Sequence, residues 1–280
     1  MSVSQHDLAL AQVQPRIARP RIATRAKGPV VLGALGILGF LLTWELFSRL
    51  GPVDPHYLPP PSLVLPQFFT NFTYTDFWVA IAQTMRAWAI GLTVAVASAV
   101  VVGVVIGSSD FLRRATHSTI EFLRPIPAVA LIPVAALLYG PELQAELLII
   151  VYACFWLVLV QVLYGVADVD NVARDTALVM QMNFLQRVRH LVFPTLLPYL
   201  MTGVRLAAVV ALILAVGVEL IVGTPGLGQK VALAQINDAN VQMYSLILAS
   251  GVLGMAVNGV MTVIERKSLF WHESVRGGKS

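Results

Sequence analysis

The sequence predicts an all-α membrane protein built on six transmembrane helices, and three observations lead there. The 280-residue chain is 57% hydrophobic and only 12% charged, with a mean hydropathy of +0.77, whereas soluble domains carry about 25% charged residues. Apolar windows of about 20 residues, the length a helix needs to cross a ~30 Å hydrocarbon core, recur along the chain. Lysine and arginine collect in alternate connections between those windows, as they do in a chain threaded repeatedly through a bilayer.

Residues 1–27 form a polar tail with Arg16, Arg19, Arg21, Arg25 and Lys27 and no acid after Asp7. Its charge reads as topogenic, with binding to anionic headgroups as the alternative. The first apolar run, 28–48, begins too far in and runs too long for a cleaved signal, and no small-residue cleavage site follows it. Between Gly51 and Phe77 lies a segment whose Tyr57-Leu58-Pro59-Pro60-Pro61 run enforces extended backbone. Ser62 is expected to cap a short interfacial helix there, with Pro66 in its first turn. The second span is placed at 87–107. Its Gly103 and Gly107 form a GxxxG pair that permits close helix approach. Small residues are frequent in membrane helices in any case, so the pair alone does not establish an interface.

The third apolar stretch, 122–140, is interrupted by Pro125, Pro127 and Pro133. Its charge-free part rises only about 25 Å as a helix. It should therefore be kinked or lined by other helices, because freed backbone groups cannot face lipid. The fourth, fifth and sixth spans are placed at 147–167, 200–222 and 244–264, giving a membrane domain over 28–265 and a tail over 266–280. Sixteen of the nineteen basic residues fall on one side of this arrangement, leaving only Arg49, Arg86 and Lys230 for the other. By the positive-inside rule both termini and the segment between the fourth and fifth spans are cytoplasmic. The sequence pI near 9.4 thus reflects topology rather than nucleic-acid binding. The single cysteine, Cys154, lies within a span, and the five histidines are scattered without ligand spacing.

The most informative stretch is Asp175–Pro198, DTALVMQMNFLQRVRHLVFPTLLP, a polar and basic segment between two apolar runs. From Asn171, a plausible N-cap, the chain is helix-compatible through Val179, with Asp175 in the early turns. A turn is expected at Gln181-Met182-Asn183. Asn183 and Gln186 then form a capping-box-like N-x-x-Q that opens a second helix, Phe184–Val192. In it Phe184, Val188 and Leu191 share one face, while Arg187, Arg189 and His190 lie elsewhere. Such a helix, with an apolar ridge and a basic flank, suits a groove on a partner. Pro194 and Pro198 are expected to stop it and redirect the chain into the fifth span. The plainer reading is an amphipathic linker lying on the membrane surface.

The order of these features resembles the EAA loop of ABC-importer permeases, with its E-A-A, a spaced glycine and a terminal I-x-L-P. Leu191-Val192-Phe193-Pro194 falls where that last element belongs. The resemblance runs from about Val31 to Glu265 and is closest to permeases of the sulfonate, taurine and nitrate import group. It implies the type I ABC importer (MetI-like) permease fold in a bacterial plasma membrane, with a coupling loop over about 171–198. The implied partners are a cytoplasmic ABC ATPase dimer, a second permease subunit and an external solute-binding protein. The cargo implied is a small solute, expected to be an organic anion. Three positions depart from the pattern: Asp175 replaces the glutamate, Thr176 the first alanine and Gln181 the glycine. A glycine serves a turn of positive φ, and asparagine tolerates that better than glutamine. The turn is therefore expected to shift toward Asn183 and the grip on the ATPase to weaken. Pairing with a more regular permease in an asymmetric heterodimer is one explanation.

Glu219 lies inside the fifth span, where an ionisable group is costly and by default functional. It is expected to serve as a structural or gating hydrogen-bond partner rather than to touch solute. Arg205 is on nearly the same helical face but about 21 Å away along the axis, so the two cannot pair. Gln161 and Asn258 are candidates for pathway lining or for interhelical hydrogen bonds. Gly223-Thr224-Pro225-Gly226-Leu227-Gly228 reads as a turn outside the membrane, because the GK[ST] and helix of a phosphate loop are missing. Gly277-Gly278-Lys279-Ser280 lacks the strand and first glycine of a nucleotide-binding loop. No cofactor, metal cluster, nucleophile or paired carboxylates are expected, so the chain is read as a non-enzyme whose work is mechanical. The alternative is a self-contained channel or ion-coupled carrier. That calls for acids along several spans and a repeated broken helix, and the sequence offers only Glu219. A membrane anchor for an enzyme complex, the third possibility, needs no coupling loop.

Overall fold

The computed structural model describes residues 29–269, and every regular element among them is helical. In order these are α1 (Pro29–Leu50), α2 (Pro61–Asn71), α3 (Thr75–Gly107), α4 (Asp110–Leu123), a 3₁₀ turn (Ala128–Leu131) leading into α5 (Ile132–Tyr139), and α6 (Leu143–Ala167). Then follow α7 (Asn171–Val179), α8 (Phe184–Arg187), a π turn (Val188–Val192), α9 (Phe193–Val222), α10 (Leu227–Ile236) and α11 (Asn240–Ser268). The tail over 1–27 and residues 270–280 of the C-terminal tail lie outside the described residues. Five of the described helices or helical runs are long and apolar enough to cross a membrane, and the bent α4–α5 pair makes a sixth.

α3, α6 and α9 form the centre. Along α3 the buried positions recur every turn with small side chains: Ala87, Gly91, Ala95, Ala99 and Gly103. Each is too small to hold the neighbouring helix away, and α6 fills the space with Ile149, Ile150, Val158, Val162 and Val166. A Cβ built on Gly91 would stand 2.6 Å from Ile150 Cγ2, one on Gly103 2.5 Å from Val162 Cγ1, and one on Gly107 2.6 Å from Val166 Cγ1. The GxxxG pair is thus a built interface. α9 joins by the same means, with Gly165 of α6 against Leu196 and Gly203 of α9 against Gln161. Approach this close brings side-chain donors onto backbone carbonyls. Trp88 Nε1 donates to Ala208 O at 2.7 Å, and the Cys154 thiol to Ala207 O at 3.4 Å.

The spans run longer than the apolar windows. α3 has 33 residues, about 50 Å of helix against a ~30 Å core. Its first turns project into a cap where Phe77 and Ala80 pack with Phe68, Leu227, Val231 and Leu246. Hydropathy windows miss such extensions, because those residues are buried by protein rather than by lipid. The third stretch, expected at 122–140, holds only the end of α4, the 3₁₀ turn and α5; the pair long enough to cross begins earlier, at Asp110, and is bent by 75°. The break falls at Arg124–Pro127, where Pro125 and Pro127 each lack an N–H. Ser109 caps α4, accepting from Leu112 N at 3.4 Å. Ser62 does not cap α2. Pro60 holds the N-cap position, Pro61 begins the helix and Pro66 sits within it. The Ser62 hydroxyl instead donates to Glu45 Oε1 at 2.9 Å and accepts from Arg49 Nη2 at 3.2 Å, so it pins α2 to α1.

Gly103→Leu is expected to force α3 off α6 and to lower stability by about 1–3 kcal/mol, the usual range for overpacking. Gly259→Ala, in open space, should be neutral or slightly stabilising. Chemical unfolding of the purified, detergent-solubilised protein separates the two.

Candidate functional site

The polar segment after α6 is shaped by three local devices. Asp170, not Asn171, is the N-cap of α7, and its Oδ1 accepts from Val172 N at 2.7 Å. The aspartate wins because its carboxylate, one residue earlier, reaches the free amides of the first turn. α7 ends in a Schellman arrangement: Met182 N donates to Ala177 O at 3.0 Å and Gln181 N to Leu178 O at 2.9 Å. That motif favours a left-handed conformation at the residue carrying the donor earlier in the chain, and Gln181 takes it, with φ +54°. The turn is therefore not displaced toward Asn183. Two hydrogen bonds at the helix end outweigh the ~1–2 kcal/mol that an L-residue loses in that conformation. Next comes a complete capping box, Asn183 N to Gln186 Oε1 and Gln186 N to Asn183 Oδ1, both at 2.9 Å.

Pro194 and Pro198 do not stop the second helix. The chain runs on through the π turn into α9, with Pro194 in its first turn and Pro198 inside it. The wide turn makes this possible, since it opens the ladder just where Pro194 has no N–H to give and would crowd the carbonyl of His190. Thr195 Oγ1 donates to Leu191 O at 2.9 Å and Thr202 Oγ1 to Pro198 O at 3.1 Å.

The structure divides the expected site residues. Asp175, Thr176, Asn183 and Arg189 are exposed, while Ala177 is buried. Val188, Leu191 and Arg187 turn inward and line a cavity against the ends of α3 and α6. Val188 and Leu191 are thus not an open apolar ridge, and Arg187 does not belong to an exposed basic flank. Phe184 begins α8, but its side chain lies outside those described. The apolar surface left open is one the sequence reading passed over: Leu178 (54% exposed), Val179 (84%), Met180 (70%) and Leu185 (73%) flank the Gln181 turn. They fall off the expected ridge, and only the turn brings them together.

At the opposite end of the bundle Glu219 is fully buried and Glu146, in the first turn of α6, is 2% exposed. Glu219 Oε2 accepts from Gly228 N at 2.8 Å, and Thr84 Oγ1 of α3 accepts from Leu227 N at 3.0 Å. A carboxyl and a hydroxyl from two spans thereby satisfy the first amides of α10, the groups any helix start leaves free. The 223–228 turn is largely buried by protein. Thr224, Leu227 and Gly228 are buried, and a Cβ on Gly226 would collide with the Glu219 carboxyl. Glu146 lies beside Thr224 and Glu219. The sequence reading missed it because an acid at a span's edge looks like an ordinary interfacial charge. Arg205 binds Glu265 Oε2 of α11 at 3.0 Å and approaches Asn258 Oδ1 at 3.5 Å, which makes Asn258 an interhelical acceptor. Asn258 also lines a largely aliphatic groove between α9 and α11, with Leu212, Ile213 and Met255. Gln161 is half-buried, its stem against Gly203.

Residues 95–269 match the sequence pattern of the binding-protein-dependent transport system inner membrane component family. The chain belongs to that family. This permease is 28% identical over 249 residues to the taurine transport system permease protein TauC of Escherichia coli (strain K12), covering 87% of the permease and 90% of TauC. It is 23% identical to the nitrate import permease protein NrtB of Synechocystis sp. (strain PCC 6803), over 91% and 95% of the two chains. Among solved structures, an inward-facing form of the MetNI methionine ABC transporter superposes with a TM-score of 0.54 at 17% identity, over 74% of the permease and 96% of that chain. The fold is that of a MetI-like ABC permease, and the protein is a multi-pass transmembrane permease subunit of an ABC importer.

Glu219→Ala is expected to strand the buried Gly228 amide and cost about 1–3 kcal/mol for the lost acceptor, with a further loss from the cavity. Glu219→Gln keeps an acceptor at the same reach and should lose much less. Comparing the unfolding midpoints of the purified permease variants checks the difference.

Proposed function

We propose that the Asp170–Pro198 segment is the element through which a cytoplasmic ATPase drives this permease. The observation that carries the reading is the exposed apolar tip Leu178, Val179, Met180 and Leu185. It stands beyond the end of α6 on two short capped helices. Concentrated apolar exposure on a polar segment marks a protein-docking surface. The same end of the bundle carries Arg113, Arg114, Arg174, Arg187, Arg189, Arg205, Arg266 and Lys267, which supports a cytoplasmic location for it and for both termini. Arg124 lies instead at the break of the α4–α5 pair, where the Tyr152 hydroxyl donates to Leu123 O. Because α9 continues from the π turn without a break, a push on the segment acts directly on a central span.

In this reading the permease carries no nucleotide site or cofactor of its own. ATP hydrolysis belongs to a separate subunit pair, a second permease completes the pathway, and a solute-binding protein docks at the α2–α10 end. The cargo is a small anion of the kind named for its relatives, which include permeases for taurine, aliphatic sulfonates, bicarbonate and nitrate. The aliphatic α9–α11 groove presents little to recognise such a solute, so selection falls mainly to the binding protein.

Leu185→Asp is expected to cost about 2–4 kcal/mol of docking energy, the range of an interface anchor, or a ~30- to 1,000-fold loss of ATPase affinity. Phe184→Ala should act in the same direction. Uptake should collapse while the permease still inserts and still docks its binding protein. Retention of ATPase on co-purification together with normal uptake reduces the segment to a linker.

The orientation is checked separately. With Cys154 replaced, a cysteine at His190 should resist a membrane-impermeant thiol reagent applied to intact cells, and one at Lys230 should react. Labelling of position 190 from outside overturns the topology.

A further inference from the structure

Between the ends of α3 and α6 and the π turn lies a cavity of about 320 Å³ lined by Val104, Gly107, Val166, Leu191, Arg174 and Arg187. Its lining is largely aliphatic, and two arginines, Arg174 and Arg187, share it. Neither arginine has a carboxylate within ion-pair distance among the described residues, and Arg187 Nε is buried without a hydrogen-bond partner. Two nearby acids are otherwise engaged. Asp168 Oδ2 accepts from the Tyr199 hydroxyl at 2.9 Å, and Asp170 Oδ1 caps α7. The carbonyl ends of α3 and α6 contribute about half a negative charge each, which leaves two full positive charges only partly offset. The aliphatic wall belongs to the last turns of the two spans, so the cavity lies at headgroup depth.

We propose that this cavity is a binding site for the phosphate headgroup of an anionic membrane lipid. The guanidinium pair takes the phosphodiester, for which its planar fork of donors is suited, and the Val104–Val166 wall receives the start of an acyl chain. Charge disfavours the chain's own N-terminal tail as the occupant, since that tail carries five basic residues after its last acid. Basic pockets between spans at the cytoplasmic face are a recurrent way of holding such headgroups. A lipid seated here wedges the coupling segment against α3 and α6, which makes the position of α7 and α8 dependent on the surrounding leaflet. The site rests on the proposed cytoplasmic placement of this end, and labelling at position 190 tests that placement without any lipid measurement.

The test uses the assembled transporter, extracted in mild detergent, with bound lipid counted by native mass spectrometry during titration with phosphatidylglycerol. The Arg174→Gln/Arg187→Gln pair is expected to bind it about 25-fold more weakly, at roughly fivefold for each charge near the surface. Arg174→Lys/Arg187→Lys should fall between, keeping charge without the fork. Phosphatidylcholine, with no net charge, should bind weakly to every form. Inorganic phosphate should fail to displace the lipid at matched concentration. Equal phosphatidylglycerol binding by the glutamine pair overturns the proposal. So does displacement by inorganic phosphate, which makes the ligand a free anion. Loss of ATPase co-purification with lipid binding unchanged also overturns it, and assigns the arginines to the protein interface.

Discussion

Close approach of helices in a medium that supplies no hydrophobic force between them is the constraint on which this structure depends. Lipid tails are as apolar as leucine, so α3, α6 and α9 are held by dispersion contacts and the few polar bonds that proximity allows. Both require small residues at the crossings. Gly91, Gly103 and Gly107 let α3 settle onto the valines and isoleucine of α6, and Gly165 and Gly203 do the same between α6 and α9. Once the backbones are this near, Trp88 and Cys154 reach main-chain carbonyls of α9.

The two ends of the bundle are then specialised by polar groups that the core positions. At one end Glu219 and Thr84, from separate spans, satisfy the amides that start α10, so that short helix is tied at once to α3 and α9. Nearby, Asn71 joins α2 to α11 through a buried hydrogen bond to Ser245 and a half-buried one from Gln242. At the other end the Schellman turn and the capping box make a firm corner from a few residues. α9 connects the two, about 45 Å of helix at its rise per residue. α9 thus joins the corner to the α10 end as one continuous helix.

Much of the candidate site was legible because its devices are local. The capping box of Asn183 and Gln186 needs only their spacing, and the span count needs only composition. Three features were not legible. Gln181 adopts a left-handed conformation that its own preferences oppose, because the two hydrogen bonds closing α7 decide the matter. The proline pair looks like a stop, yet a π turn opens the ladder in front of Pro194 and the helix continues. Val188 and Leu191 look like an outward ridge, but α3 and α6 occupy that side.

By itself the sequence determined the medium, the class and the order of the elements, since apolar run length, charge placement and capping residues all act over a few neighbours. The resemblance carried by Asp175–Pro194 pointed to the family for the same reason. Only the tertiary structure decided which small residues form interfaces, that Glu146 joins Glu219 in the interior, and that Arg174 and Arg187 share one cavity. Those facts depend on residues far apart in the chain meeting across helices, and periodicity along one helix contains no information about what stands opposite it.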